Sequence, residues 1–299
     1  MALAEWLQAL PVGELRAHHG IAAGMQNSNY FVETRAGKFV LTLFERIAPE
    51  ELAVYLEMQA YLAARGIPCP LPLADAEGRL QRPLAGRPAA LFTCLPGKEL
   101  AEPDAEQCQR LGTVLAELHQ IGADCPALPA HPCGREWRQR VGTRLLPCLE
   151  PAMRDFLAEE LAYEAAQDWS ELPRGLIHAD LFRDNVLWLP DGRLGGVLDF
   201  YFAGEDVLLF DLAVVANDWC SDETRLAALI AGYVRQRPLT VAEYALWPAM
   251  RRAAALRFWL LRLEARLLPR VGEVVTMKDP EHFHRMLERF RLAPEALPR

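Results

Sequence analysis

The stretch Gly175-Leu176-Ile177-His178-Ala179-Asp180-Leu181-Phe182-Arg183-Asp184-Asn185-Val186-Leu187-Trp188-Leu189, with Gly196-Val197-Leu198-Asp199-Phe200 close behind it, decides how this chain is read. An apolar run enters a polar loop at His178, and a second apolar run, from Val186, leaves it. Pro190-Asp191-Gly192-Arg193 is turn chemistry, and Leu194 to Leu198 returns as a partner strand. Antiparallel pairing in such a hairpin puts Asn185, at the start of one strand, beside Asp199, at the end of the other. Asp180 sits in the adjoining loop.

Two carboxylates and an amide oxygen at the mouth of a hairpin suit a hard cation with oxygen ligands, such as Mg²⁺. Phosphoryl transfer asks a protein for positioning and charge neutralisation, and for a carboxylate that orients the acceptor and takes its proton. On that chemistry Asp180 is the base, and Asn185 and Asp199 are the metal ligands. Any one of these residues reads more simply as a turn cap. The set H-x-D-x-x-x-x-N followed by a strand-terminal D-F is what points to catalysis.

Outward from this segment, the 299 residues fit one large domain or two modest ones, and 52% hydrophobic with 24% charged residues is ordinary globular composition. A formal net charge of −8 argues against a nucleic-acid partner, which basic excess would favour. Cys69, Cys94, Cys108, Cys125, Cys133, Cys148 and Cys220 are odd in number and contain no C-x-x-C pair, which argues against a zinc site or a disulfide framework. Reduced thiols and a cytoplasmic location are expected. Glu5 and the absence of a basic n-region argue against a secretory signal, and Asp211, Arg257 and Arg262 interrupt the apolar stretches that could have spanned a membrane.

The first third is strand-rich. Asn29 to Thr34 and Phe39 to Phe44 read as a hairpin turning through Arg35-Ala36-Gly37-Lys38. A helix should begin at Pro49 and stop at Arg65-Gly66, ahead of Pro68. Pro88 to Leu95 is a further strand, ended by Pro96-Gly97. Asp104 and Gln107 form a capping-box pattern ahead of Leu111, Val114, Leu115, Leu118 and Ile121 at helical spacing. Thereafter the pattern is helical except for a strand pair around 176–200. The expected class is α+β, with a β-rich lobe over 1–95 and a larger helical lobe over 96–299.

These motifs resemble those of the aminoglycoside phosphotransferase and choline kinase-like superfamily, whose two-lobed fold is similar to that of protein kinases. Within it the likeness is strongest to bacterial homoserine kinases of the aminoglycoside-phosphotransferase type. It is carried by Asn27 to Phe31, Phe39 to Glu45, Cys69 to Leu73, Leu176 to Phe182, Asp199 to Phe202 and Ala255 to Phe258. The resemblance implies an ATP- and Mg²⁺-dependent enzyme acting on a small molecule, with L-homoserine favoured as acceptor. Choline, ethanolamine, methylthioribose, an aminoglycoside, or a non-catalytic nucleotide-binding role stand as alternatives. It implies a phosphate-covering turn over Gly20 to Asn29, so Asn27, Ser28 and Asn29 are candidate nucleotide contacts. Thr93 and Leu95, in the hinge, would meet adenine. Asp211 would support the catalytic loop, and His178 would orient it. One departure concerns the strand position where the kinase pattern carries a phosphate-binding lysine. Here Thr42 stands there, and Lys38 is four residues earlier. For the acceptor, Arg257 is the candidate for a carboxylate, and Tyr201, Asp206 and Asp184 for an ammonium group. A monomer or homodimer with no nucleic-acid or membrane partner is expected.

Overall fold

The structure, a computed structural model, describes residues 2–21, 27–268, 279–294 and 296–297. In chain order the elements are α1 (Ala2–Leu7), β1 (Leu15–Ile21), β2 (Asn27–Thr34), β3 (Lys38–Phe44), α2 (Pro49–Ala64), β4 (Arg82–Leu84), β5 (Arg87–Thr93) and α3 (Ala105–Gly122). They continue with α4 (Arg135–Leu145), α5 (Pro151–Ala165), β6 (Arg174–Ile177), β7 (Val186–Trp188), β8 (Leu194–Val197), β9 (Gly204–Val207), α6 (Leu208–Trp219), α7 (Glu223–Gln236), α8 (Val241–Leu267) and α9 (Glu281–Leu292). The class is α+β. The chain divides into two compact units: Met1–Glu99 with Asp124–Pro129 and Val186–Tyr201, and Leu100–Ala123 with Ala130–Asn185 and Phe202–Arg299.

The first unit is built on a five-stranded antiparallel sheet in the order β1-β2-β3-β5-β4. Strand alternation divides its side chains between two apolar clusters. Leu41, Leu43, Ala89 and Leu91 join Trp6, Leu7, Leu10 and Val12 from the N-terminal segment, whereas Phe44, Ala90 and Phe92 join Leu52 and Leu56 of α2. Helix α2 starts with Pro49 in its first turn and ends at Arg65, after which Gly66 takes φ +94, a left-handed conformation that glycine adopts without strain. The β7–β8 hairpin belongs to this unit. Trp188 and Lys98 exchange backbone hydrogen bonds, and Val197 N–H donates to Pro68 O. A linear reading that draws a border near residue 95 has no means of seeing that return.

The second unit is helical apart from the two-stranded β6–β9 ribbon. The Asp104–Gln107 capping box opens α3. Gly112 of α3 and Gly232 of α7 let these helices touch along their backbones; a Cβ on Gly232 would come 1.9 Å from Gln109 O. Helix α8 begins at a second capping box, Thr240 with Glu243, and it holds Pro248 in its interior. The expected strand pair around 176–200 is two separate pairings, β6 with β9 and β7 with β8. β9 is four residues long and carries Glu205 and Asp206, so no apolar alternation marks it. None of the seven cysteines is in a disulfide, and no described helix is long and apolar enough to cross a membrane.

Candidate active site

The loop that follows β6, residues 178–185, lies in the second unit and is pinned from several sides. Asp211, in the first turn of α6, is fully buried. Its Oδ2 accepts the His178 backbone N–H at 2.7 Å, and its Oδ1 accepts that of Ala179 at 2.8 Å. Oδ2 also lies 3.2 Å from His119 Nε2, while His119 Nδ1 meets the Tyr233 hydroxyl at 2.7 Å. Burial pushes the Asp211 carboxyl up, but the hydrogen bond and charge of His119 and the His178 amide outweigh it and hold the group below its ordinary value. At the other end, Asp218 accepts the Arg183 N–H at 2.8 Å and Trp219 Nε1 donates to Leu181 O at 3.0 Å.

Ala179 has φ +65, which costs a residue with a side chain about 1–3 kcal/mol. Its peptide groups are clamped: Asp211 holds the N–H, and Arg257 Nη1 donates to the carbonyl at 2.5 Å. That same Nη1 stands 3.5 Å from Asp180 Oδ1. The Asp180 backbone N–H donates to His178 Nδ1 at 3.2 Å. Asn185 spends its Nδ2–H on Asp180 O, at 2.7 Å, so its amide presents oxygen on the opposite edge. Asp180 retains 16% side-chain exposure, enough to meet a ligand.

Arg257, on α8, is fully buried. Its guanidinium lies 4.6 Å from the Phe202 ring centroid and 4.2 Å from that of Phe258. Nε and Nη2 find no hydrogen-bond partner among the described residues. Two donors on one edge of a buried cation are expensive to leave unmet, and that edge matches a carboxylate bidentately.

The other candidates for the acceptor sit on three different elements. Asp184 is exposed on a single 3₁₀ turn, Arg183–Asn185. Asp206, at β9, is 5% exposed and already engaged: Oδ2 lies 2.9 Å from His131 Nδ1, Oδ1 accepts Val207 N–H at 2.8 Å, and Arg174 Nη1 is 3.5 Å away. Tyr201 belongs to the first unit, where its ring meets Phe44 and Tyr55 edge-on.

Within the first unit, Asn27, Ser28 and Asn29 open β2. Asn29 faces Thr42 in register, and the Thr42 hydroxyl donates to Asn29 Oδ1 at 2.8 Å. Ser28 Oγ donates to Glu45 Oε1, which also receives Arg87 Nη1. Lys38 does not compensate for Thr42 locally, since its Nζ lies 3.8 Å above the Phe31 ring. Residues 22–26 of the expected phosphate-covering turn lie outside the described residues. Thr93 Oγ1 accepts the Leu71 N–H at 2.9 Å, and Leu95 packs on the Gly196 backbone. Asp199, two residues beyond β8, has φ +61; the hairpin register sets Val186 opposite Val197.

Sequence reasoning missed His119, His131, Asp218 and Trp219. Each sits on a helix or in a loop among ordinary neighbours, and only tertiary folding brings them to the catalytic loop or to Asp206.

The chain matches the model of the phosphotransferase enzyme family over residues 18–256. It is 44% identical to the homoserine kinase of Methylobacillus flagellatus, covering 98% of this chain and 93% of that one, and 43% identical to the homoserine kinase of Cupriavidus pinatubonensis, covering 98% and 94%. Among solved structures, a spectinomycin phosphotransferase in complex with ADP and spectinomycin superposes with a TM-score of 0.72 at 14% identity, over 98% of this chain and 97% of that one. A choline kinase from Streptococcus pneumoniae gives 0.70 at 15% identity, over 97% and 98%. The fold is that of these kinases, and the chain belongs to the phosphotransferase enzyme family.

Proposed function

We propose that this protein is a homoserine kinase, transferring the γ-phosphoryl group of ATP to the side-chain hydroxyl of L-homoserine. Near-full-length identity of 44% to a homoserine kinase supports the acceptor. The structural observation that carries the reading is the unpartnered Nε/Nη2 edge of buried Arg257, whose Nη1 stands 3.5 Å from the Asp180 carboxylate. A donor fork beside a carboxylate base suits an alcohol that carries a carboxylate of its own. It suits choline poorly, because a quaternary ammonium would be driven against a buried guanidinium.

In this reading the acceptor's carboxylate lies on Arg257 and its hydroxyl points at Asp180. The hydroxyl oxygen forms the new bond to the γ-phosphorus as the bond from phosphorus to the bridging oxygen breaks, and ADP departs. Asp180 takes the hydroxyl proton. Arg257 and Asp211 hold the strained Ala179 peptide groups, and so aim Asp180 before the substrate arrives. Asn185 and Asp199 are the residues that would hold magnesium; with its amide nitrogen spent on Asp180 O, Asn185 offers an amide oxygen, the kind of hard donor that ion prefers. Magnesium, when bound, neutralises phosphate charge. Asn27, Ser28, Asn29 and Thr42 are assigned to the nucleotide phosphates, and Thr93 and Leu95 to the adenine side. With threonine at position 42, phosphate contacts from this strand are hydrogen bonds without charge.

ADP release with Mg-ATP against L-homoserine, choline, methylthioribose and an aminoglycoside tests the proposal. Selective turnover of homoserine is expected. Selective turnover of another alcohol would overturn the acceptor while leaving a kinase.

A further inference from the structure

His131, in the segment between α3 and α4, is, like Arg257, a buried group with a polar edge left unmet. Its side chain is 1% exposed, Nδ1 is 2.9 Å from Asp206 Oδ2, and Nε2 has no hydrogen-bond partner among the described residues. Burial pushes the Asp206 carboxyl up, but its hydrogen bond to His131 and the charge of Arg138 outweigh it and keep the group below its ordinary range. Asp206 is therefore an ionised acceptor, and the hydrogen between it and His131 belongs to Nδ1. Burial lowers the His131 pKa; Asp206 opposes that shift and the charge of Arg257 reinforces it. The ring is thus neutral, with a bare lone pair on Nε2.

The loop that carries His131 is fixed beside Arg257. Burial pushes the Cys133 thiol up while the charge and hydrogen bonding of Arg257 pull it down, so this residue, two positions on, stands near Arg257; Cys133 O accepts Arg138 Nη1 at 3.0 Å. The second unit therefore holds a cationic donor fork that a neutral thiol approaches but no carboxylate or carbonyl meets and, on the loop carrying that thiol, a neutral acceptor without a donor. An α-amino acid presents the complementary pair on one carbon: a carboxylate that accepts and an ammonium group that donates.

We infer that His131 Nε2 accepts a hydrogen bond from the α-ammonium group of the acceptor, and that Asp206 is a positioning residue that fixes the His131 tautomer without touching the substrate. This rests on the homoserine reading and deepens it. Arg257 reads the acid end and His131 the amine end. An alcohol lacking either group is disfavoured because one buried partner stays unmet.

The test compares L-homoserine with 4-hydroxybutyrate, which lacks the ammonium group, each as substrate or as competitive inhibitor. His131→Phe should raise KM for homoserine about 10- to 100-fold and leave 4-hydroxybutyrate within about twofold, which also shows the variant to be folded. His131→Gln, whose side-chain carbonyl can accept, should recover most of the loss. Asp206→Asn should also abolish the preference for homoserine. Its oxygen stays on Val207 N–H, its amide nitrogen then donates to Nδ1, and Nε2 becomes protonated and faces the ammonium. Equal losses on both compounds in His131→Phe, or a wild-type enzyme that handles them alike, would overturn the inference while homoserine turnover stands. A wild-type enzyme without homoserine turnover would remove the acceptor reading, and the inference with it.

Discussion

Replacing Asp211 by Asn separates the support of the catalytic loop from its chemistry. The two carboxylate oxygens receive three buried donors: His178 N–H and His119 on Oδ2, and Ala179 N–H on Oδ1. An amide of the same shape keeps one accepting oxygen, best placed toward the two donors. Its NH₂ then faces the Ala179 N–H, leaving a buried donor unmet at a cost of about 1–3 kcal/mol. The remaining bonds also lose the assistance of charge. A domain holds about 5–15 kcal/mol in reserve, so the variant should fold. Ala179, however, is held at φ +65 by this contact, against about 1–3 kcal/mol of strain. Released on one side, the loop relaxes and Asp180 shifts; displacement on the order of 1 Å costs about 100-fold in rate. Melting temperature and steady-state ADP release check both parts. Loss of about 1–3 kcal/mol of stability with kcat within about twofold of the wild type would refute the link between strain and positioning.

Three further outcomes follow from the geometry. Arg257→Lys keeps the charge and loses the fork, so kcat/KM for homoserine should fall about 100-fold while KM for ATP changes by less than about threefold, measured with each substrate varied in turn. Gly232→Ala should destabilise the protein by about 2–3 kcal/mol in urea melts, because a Cβ 1.9 Å from Gln109 O forces α3 and α7 apart. Because the folded His131 has a pKa below its ordinary 6.5, the unfolded chain binds the proton more readily. That contribution is full above about pH 6.5 and is lost as pH falls toward the folded value. Melting temperature should therefore drop between pH 7.5 and 5.5, and less steeply in His131→Gln; identical slopes would show that His131 does not titrate in this window.

Much of the frame was legible because it rests on local chemistry. The β2–β3 hairpin, the Pro49 start and Gly66 stop of α2, and the Asp104–Gln107 box of α3 are each written in a few neighbouring residues. Asp211 was legible as the loop's support through the family resemblance. The illegible parts depend on partners distant in sequence. β9 has no pattern of its own and exists because β6 offers it an edge. Nothing beside Arg257 in sequence announces its complete burial, which the carbonyl of a residue 78 positions away and two aromatic rings make tolerable. Asp206 read as a ligand for an ammonium group, but its buried partner, His131, stands 75 positions away. An isolated histidine beside Pro132 gives no sign of that.

The steady-state kcat of the wild-type protein and Asp180→Asn, with Mg-ATP and L-homoserine and with the product identified as a phosphate monoester, tests the central claim most directly. A fall of at least about 100-fold, with ATP affinity and melting temperature unchanged, is expected for the loss of a general base. A variant that phosphorylates homoserine within about twofold of the wild-type rate would contradict the assignment of Asp180.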